Sequence, residues 1–362
     1  MTTETIAKLL PLEALHRRLG AELASLDGLA TVPTSYGSVG EEHAALARGC
    51  GLVDHSFRDR LALTGEDRQR FLNGLVTCDV KSLAPGAGTY GFFTGPQGKI
   101  LTDVAVLARE DALWLELPPG RGGPIAGHLA KYVISDRVEI AQFDGVLPLT
   151  LAGPRAAEVL GMALAPDAAA SLPATAWEQI HATVLGVEAT VVRRADMRTS
   201  AWTLWVAAEE AGPLFEGLLA LPLVRPAGFT ALEMLRVEAG IPRYGEDYGG
   251  DNFPQETGLE TAVSYTKGCY LGQEVVARIH YRGQVNKLLR GLVFAGPAPR
   301  RGTALLAEGR EAGAVGTAVD SIALGRPIGL AILHRRAADP GTLLEIAGDG
   351  QAEVRELPFV PQ

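Results

Sequence analysis

The sequence predicts an α+β fold that ends in a small all-β domain. Up to about residue 225, strand-like segments are joined in hairpins and interrupted by helical segments, without the regular strand–helix alternation of a parallel sheet. From about residue 288, short strand-like segments follow one another, separated by Gly, Pro and Asp, which is typical of a small barrel or sandwich. The 362 residues are enough for two or three domains.

Composition narrows the class of protein. The chain is 47% hydrophobic and 21% charged, as in ordinary globular proteins, and its net charge of −9 argues against broad nucleic-acid binding. Cys50, Cys78 and Cys269 lie far apart, and the seven histidines show no metal-ligand spacing, so we expect reduced thiols in a cytoplasmic protein and no metal site. No leader is evident, and no run of 18 apolar residues predicts a membrane span.

The first part of the chain combines helices with hairpins. Residues 1–30 are predicted as one or two amphipathic helices, and residues 31–40 as a loop. The turn at residues 95–98, Gly-Pro-Gln-Gly, suits a tight connection between two strands. Helices are predicted at residues 41–48, 67–75, 125–133, 155–160 and 215–221, and strands at 58–64, 89–94, 99–108, 112–118, 137–140, 147–152, 181–185, 188–193 and 203–207.

The strongest local helix signal lies at residues 230–239. Thr230 and Glu233 have the spacing of a capping box, and Gly240 followed by Pro242 ends the helix. A long irregular stretch from residue 243 then leads into the basic segment 267–287, and such long loops are often functional. Strands of the C-terminal β domain are predicted at residues 289–294, 304–306, 312–319, 328–332, 343–346 and 352–357.

Several side chains in these stretches could support chemistry. Between residues 267 and 301 the chain has seven Lys or Arg and one acid, Glu274, so segment 267–287 could bind an anion or could be a solvated basic linker. Cys269 could be a nucleophile favoured by nearby cations, or a bystander. Arg236 could hold a carboxylate or form a surface ion pair. Asp103, inside an apolar strand, could be functional or could point to solvent.

The segment KGCYLGQEVVARIHYRGQVNK, residues 267–287, resembles the signature of the YgfZ family of folate-binding proteins. Residues 52–80, 235–247 and 253–260 resemble blocks shared with the related GcvT aminomethyltransferases of glycine cleavage. The resemblance implies a three-part ring of two α/β subdomains with mixed sheets plus a C-terminal β-barrel. The implied domains are an N-terminal helical segment (1–40), a folate-binding region (41–285, with a junction near 150–225) and the barrel (286–362).

The resemblance also implies tetrahydrofolate, or a one-carbon derivative, as cofactor. Arg236 matches a folate-contacting arginine of the aminomethyltransferases, and Cys269 matches a signature cysteine of YgfZ that could be catalytic. The cofactor-binding residues implied in this way are Asp103, Arg236, Lys267, Gln273, Glu274 and Arg278.

Two departures from the aminomethyltransferase pattern stand out. The strand after the tight turn carries paired aspartates in those enzymes, but here Thr102 precedes Asp103. Their TGYTGE-like block has a glutamate that holds the pterin, and the nearest stretch here, residues 194–200, has no matching glutamate. Both departures argue against glycine-cleavage chemistry.

The sequence therefore leads to two main hypotheses of function. The first is a monomeric, tetrahydrofolate-binding protein that supports iron–sulfur cluster assembly or repair, with assembly proteins or client enzymes, such as tRNA methylthiolases, as partners. The alternative is a tetrahydrofolate-dependent aminomethyltransferase or methyltransferase. A third, a binding module for RNA or a protein, is disfavoured for RNA by the acidic net charge.

Overall fold

A computed structural model describes residues 10–197, 199–283, 285–348 and 350–360. The chain divides into two compact units. Unit 1 comprises residues 1–72, 80–90 and 104–232, and unit 2 comprises residues 73–79, 91–103 and 233–362. Within the described ranges, no helix is long and apolar enough to cross a membrane.

Unit 1 begins differently from the sequence prediction. Helix α1 (Glu13–Arg18) is short, and it is followed by an antiparallel hairpin of β1 (Glu22–Leu26) and β2 (Ala30–Ser35). The prediction of helix to residue 30 and loop from 31 was therefore wrong here. The reason is local, because Asp27 and Gly28 both have positive φ, the conformation that hairpin turns favour.

A six-stranded sheet forms the centre of unit 1. Its order is β10-β11-β12-β9-β3-β13, and helices cover the apolar face around Leu52, Leu149, Leu204 and Phe215. Strand β3 was not predicted, because CGLVD is buried along its whole length and shows no alternation. The elements are α2 (Val39–Arg48), β3 (Cys50–Asp54), β9 (Val146–Ala152), α5 (Ala156–Ala163), α6 (Pro166–Ala170), β10 (Gln179–Val184), β11 (Val187–Arg193), β12 (Ala201–Ala207), α7 (Ala208–Leu219) and β13 (Val224–Pro226).

A second sheet has five strands in the order β5-β6-β7-β4-β8. The predicted hairpin around residues 95–98 is confirmed, and its tip, residues 91–103, belongs to unit 2. The elements of this part are β4 (Asp59–Thr64), α3 (Arg68–Asn73), β5 (Gly88–Thr94), β6 (Ile100–Ala108), β7 (Ala112–Leu117), α4 (Gly122–Ala130) and β8 (Glu139–Gln142).

Unit 2 ends in a closed barrel, which confirms the predicted C-terminal β domain and the α+β class. The strand order is β14-β17-β16-β15-β18-β19 among the described residues, around a core that includes Leu292, Phe294, Leu333 and Val354. Closure pairs each of these strands with a neighbour on both sides. The strands are β14 (Lys287–Phe294), β15 (Ala304–Ala307), β16 (Arg310–Ser321), β17 (Arg326–His334), β18 (Leu343–Ile346) and β19 (Gln351–Arg355).

Two helices precede the barrel. Helix α8 (Phe229–Glu238) matches the predicted helix 230–239. Helix α9 (Gln273–Arg282) lies inside the basic segment 267–287, for which we predicted no helix. Its apolar residues, Val275, Val276 and Ile279, have helical spacing, but the surrounding glycines and charges dominate the sequence pattern.

Candidate functional site

The tip of the β5–β6 hairpin places Asp103 and Thr102. The turn closes through hydrogen bonds from Gly95 N to Lys99 O and from Gly98 N to Gly95 O, at 2.8 and 2.9 Å. Consecutive residues of a strand point to opposite faces, yet both Thr102 and Asp103 are buried in β6. Asp103 therefore does not simply point to solvent, and a hydroxyl rather than a second carboxylate lies on the opposite face.

The same turn packs closely against the start of helix α9. Gly272 has φ of +85°, and a Cβ atom there would lie 2.4 Å from the carbonyl oxygen of Gly95. A Cβ at Gly98 would lie 3.1 Å from the side chain of Val275. The glycines of the basic segment therefore allow backbone to approach backbone, and they fix where Gln273 and Glu274 begin the helix.

Lys267 binds backbone inside unit 2. Its ammonium group donates to the carbonyl oxygens of Asn73, Val76 and Cys78, at 2.7, 2.7 and 2.6 Å. An ammonium group has three donors, so this set uses all of them. Burial lowers the pKa of Lys267 to about 8. The lysine holds segment 73–79 in place, and an added anionic ligand would have to replace one of these bonds.

Arg236 uses all five of its N–H donors inside the protein. It binds Glu233 through two bonds of 2.9 and 2.7 Å, Asp247 at 2.7 Å, Ile241 O at 2.6 Å and the Thr317 hydroxyl at 2.7 Å. A guanidinium group has no further donors. Arg236 therefore joins helix α8 to the 241–247 loop and to barrel strand β16.

The charges around Arg236 stabilise each other's ionised forms. Burial alone would raise the pKa of Glu233, but the cations Arg236 and Arg243 hold it below its usual value. Burial alone would lower the pKa of Arg236, but Glu233 and Asp247 raise it. This cluster is a buried ion network, in which the loss of one member would leave an uncompensated charge.

The remaining predicted residues lie on or just before helix α9. Cys269 is exposed, and Glu274 and Arg278 form an ion pair of 2.9 Å with side chains 86% and 67% exposed. The N–H of Gln273 donates to Tyr270 O at 3.1 Å. An exposed ion pair of this kind contributes little to stability. Because the side chains of Glu274 and Arg278 are exposed, a partner or ligand can reach them.

Sequence reasoning missed a cavity of about 410 Å³ in unit 2, which we call the aromatic cavity. It lies among the 3-10 turn Pro254–Glu256, the last turn of α9 and the start of the barrel. The rings of Tyr265 and His280 stack with centroids 3.7 Å apart and planes 15° apart. The residues that define it are Gln255, Glu260, Tyr265, His280, Leu288 and Arg335. Its described lining includes none of the predicted site residues.

Unit 1 contains a second buried ion network that sequence reasoning also missed. Arg194 binds Glu116 through two bonds of 3.1 and 3.0 Å and Asp196 through bonds of 2.8 and 2.5 Å. Arg58 lies 2.5 Å from Glu116. Burial alone would raise the pKa of Asp196, but Arg194 lowers it to about 2. The stretch that lacks the family's glutamate thus still presents a carboxylate, on a residue whose side chain is 24% exposed.

The sheets followed by a closed six-stranded barrel place the chain in the α+β class. Comparison with known protein families identifies its family. The GCVT N-terminal domain matches residues 12–267, and the glycine cleavage T-protein C-terminal barrel domain matches residues 287–361. The chain therefore belongs to the glycine cleavage T-protein (GcvT) family.

Several curated relatives of this chain are named aminomethyltransferases. It is 32% identical to the mitochondrial aminomethyltransferase of Gallus gallus over 97% of this chain and 92% of the relative, and 30% identical to that of Geobacillus kaustophilus over 96% and 97%. The aminomethyltransferase of Bartonella henselae shares the fold, with 24% identity, a TM-score of 0.87 and 98% of both chains covered. The wider GcvT interpretation is thus supported, whereas these names do not support the narrower YgfZ one.

Tetrahydrofolate, which the family implies, fits the residues in part. A carboxylate such as Asp103 can accept the N–H groups of a pterin or an amine. Every N–H of Arg236 and Lys267 is already donated to a protein acceptor. Their geometry suits the shaping of the surrounding backbone better than a direct bond to the cofactor.

Proposed function

We propose that the chain is a tetrahydrofolate-dependent transferase of the aminomethyltransferase type. One observation supports this most strongly: the similarity to curated aminomethyltransferases runs through both domains and over 97% of this chain. An end-to-end match of this kind is expected when the whole architecture serves the same chemistry. The alternative hypothesis from the sequence is therefore favoured over iron–sulfur support.

In this proposal Asp103 is the acid–base group. Tetrahydrofolate, when bound, would supply the amine nitrogens that accept a one-carbon unit. A buried carboxylate in β6 can hold or receive a proton at such an amine. Thr102, also buried, gives the strand a neutral neighbour in place of a second charge.

The deciding experiment offers the purified protein tetrahydrofolate and aminomethylated H-protein and measures methylenetetrahydrofolate. We expect turnover in the wild type and a loss of at least about 100-fold in Asp103→Asn, because a positioned acid or base contributes roughly that much. Isothermal titration with tetrahydrofolate separates binding from chemistry. Tight folate binding without any turnover would contradict the transferase assignment.

One observation keeps iron–sulfur support as a second candidate. Cys269 is an exposed thiol in the KGCYLGQE segment, three residues before the Gly272 that precedes α9. Such a thiol can reach a cluster or a partner protein. In a strain that lacks its own homologue, Cys269→Ala should fail to restore iron–sulfur enzyme activity if this role is correct. Full rescue by the alanine variant would eliminate it.

A further inference from the structure

The aromatic cavity has the size and shape of a small-molecule site. Its volume of about 410 Å³ falls within the range of ligand pockets, which is roughly 300–1,000 Å³. Apolar side chains, including Ile279 and Leu288, form part of the wall, and a few polar groups are set among them. That composition is typical of pockets that bind one small ligand in a defined orientation.

The aromatic wall suits a planar ligand. Tyr265 and His280 stack on each other, and Tyr281 packs edge-on against the His280 ring, with centroids 4.8 Å apart. Tyr281 itself is 66% exposed and lies outside the described lining of the cavity. Nucleobases stack favourably on the faces of such rings.

The polar groups of the cavity include one acceptor, the amide oxygen of Gln255, that has no donor among the described residues. The amide nitrogen of Gln255 donates to Val276 O at 2.7 Å and to the Tyr265 hydroxyl at 3.4 Å. Its buried amide oxygen accepts no hydrogen bond from the residues that the structure describes. Glu260 contributes an exposed carboxylate to the same lining. Both groups are suited to the N–H donors of a base.

The cavity lining also includes a cationic side chain, that of Arg335. Arg335 lines the cavity with an exposed side chain, and its backbone N–H donates to Asn286 O at 2.8 Å. Arginine binds phosphate through a planar pair of donors. A flat face and acceptors for N–H groups together match the base of a nucleotide, and the arginine matches its phosphate.

We propose that the aromatic cavity binds a purine mononucleotide, with the base on the Tyr265–His280 face and the phosphate on Arg335. The proposal does not depend on the transferase assignment, because it uses none of the residues assigned to folate or to catalysis. An anionic regulator or a second substrate of nucleotide chemistry would be recognised in this way.

Isothermal titration of the full-length protein with GMP, AMP and guanosine tests the proposal. We expect 1:1 binding of at least one nucleotide, with guanosine about tenfold weaker than GMP because it lacks the phosphate that Arg335 holds. Arg335→Glu should abolish the difference between GMP and guanosine. Arg326→Glu, which changes an exposed barrel arginine outside the cavity lining, is the matched control and should bind like the wild type.

Tyr265→Leu should weaken GMP and guanosine equally, by about tenfold or more, because it removes the stacking face from both. Thermal unfolding verifies that each variant is folded, and Arg335→Glu, an exposed position, provides the test if Tyr265→Leu does not fold. Absence of nucleotide binding to the wild type would overturn the proposal. So would equal binding by all variants, or displacement of GMP by one equivalent of tetrahydrofolate, which would assign the cavity to the folate.

Discussion

Lys267 illustrates how a residue can match a family signature while serving the fold. Its three bonds to the carbonyl groups of segment 73–79 would be lost together in Lys267→Met, and buried carbonyls without a donor are costly. We expect this variant to be less stable by about 3 kcal/mol at pH 7, measured by urea unfolding. Unchanged stability would show that water replaces the ammonium group.

The lowered pKa of Lys267 predicts the direction in which the stability of the protein changes with pH. Its folded pKa of about 8 lies below the usual value of 10.5, so between these pH values the unfolded chain binds more protons than the folded chain. Stability contributed by this group therefore rises with pH across that window. The wild type should exceed Lys267→Met in free energy of unfolding by an amount that grows from pH 8 to pH 10.5. A difference that stays constant or falls over this range would contradict the lowered pKa.

Arg236 separates a structural role from a ligand role. Arg236→Lys keeps the charge but loses at least two of five donors, and we expect it to destabilise the protein by about 2–4 kcal/mol in urea unfolding. Arg310→Lys, at an exposed barrel position, should have no effect. A variant Arg236→Lys of wild-type stability that no longer binds tetrahydrofolate would instead show that the guanidinium contacts the cofactor.

At the scale of elements, the contact between the hairpin turn and helix α9 depends on glycine. Gly272→Ala would force a Cβ to within 2.4 Å of Gly95 O at a positive φ, so we expect a loss of more than about 2 kcal/mol. Gly268 lies four residues earlier, and a Cβ added there would meet none of the described atoms within 4 Å. Gly268→Ala should therefore change the stability by less than about 0.5 kcal/mol. Equal effects of the two variants on the urea midpoint would contradict this packing.

The elements also show what local pattern can predict. The β5–β6 hairpin and the barrel strands were predictable, because turn residues and alternation are local signals. Strand β3 and helix α9 were not, since one is buried throughout and the other has a short apolar face among charges. The aromatic cavity joins Gln255 to Arg335, which are far apart in the sequence, and no spacing rule indicates such a contact.

At the scale of the whole molecule, sequence similarity identified the family, and the structure showed which side-chain donors are already bonded within the protein. Arg236 and Lys267 match family patterns, but the sequence does not indicate which groups bind them. Asp247, which binds Arg236, lies in the irregular stretch that follows helix α8. The carbonyl groups that bind Lys267 belong to segment 73–79, far away in the sequence. Whether a charged side chain is free to bind a ligand depends on such partners. The sequence therefore identified the chemistry that is present but not which groups remain available for it.

The folate and nucleotide proposals can be tested together on the intact protein. A ligand that binds only the folded state stabilises it by about 2.7 kcal/mol at 100 times its Kd, and contributions from independent sites add. Thermal unfolding with tetrahydrofolate, with GMP and with both should therefore show stabilisation by each, and the sum of the two when both are present. Arg335→Glu should remove only the GMP contribution and should leave that of tetrahydrofolate unchanged. The two ligands compete for one site if together they stabilise the protein no more than the better of the two does alone. In that case the nucleotide assignment fails, while folate binding stands.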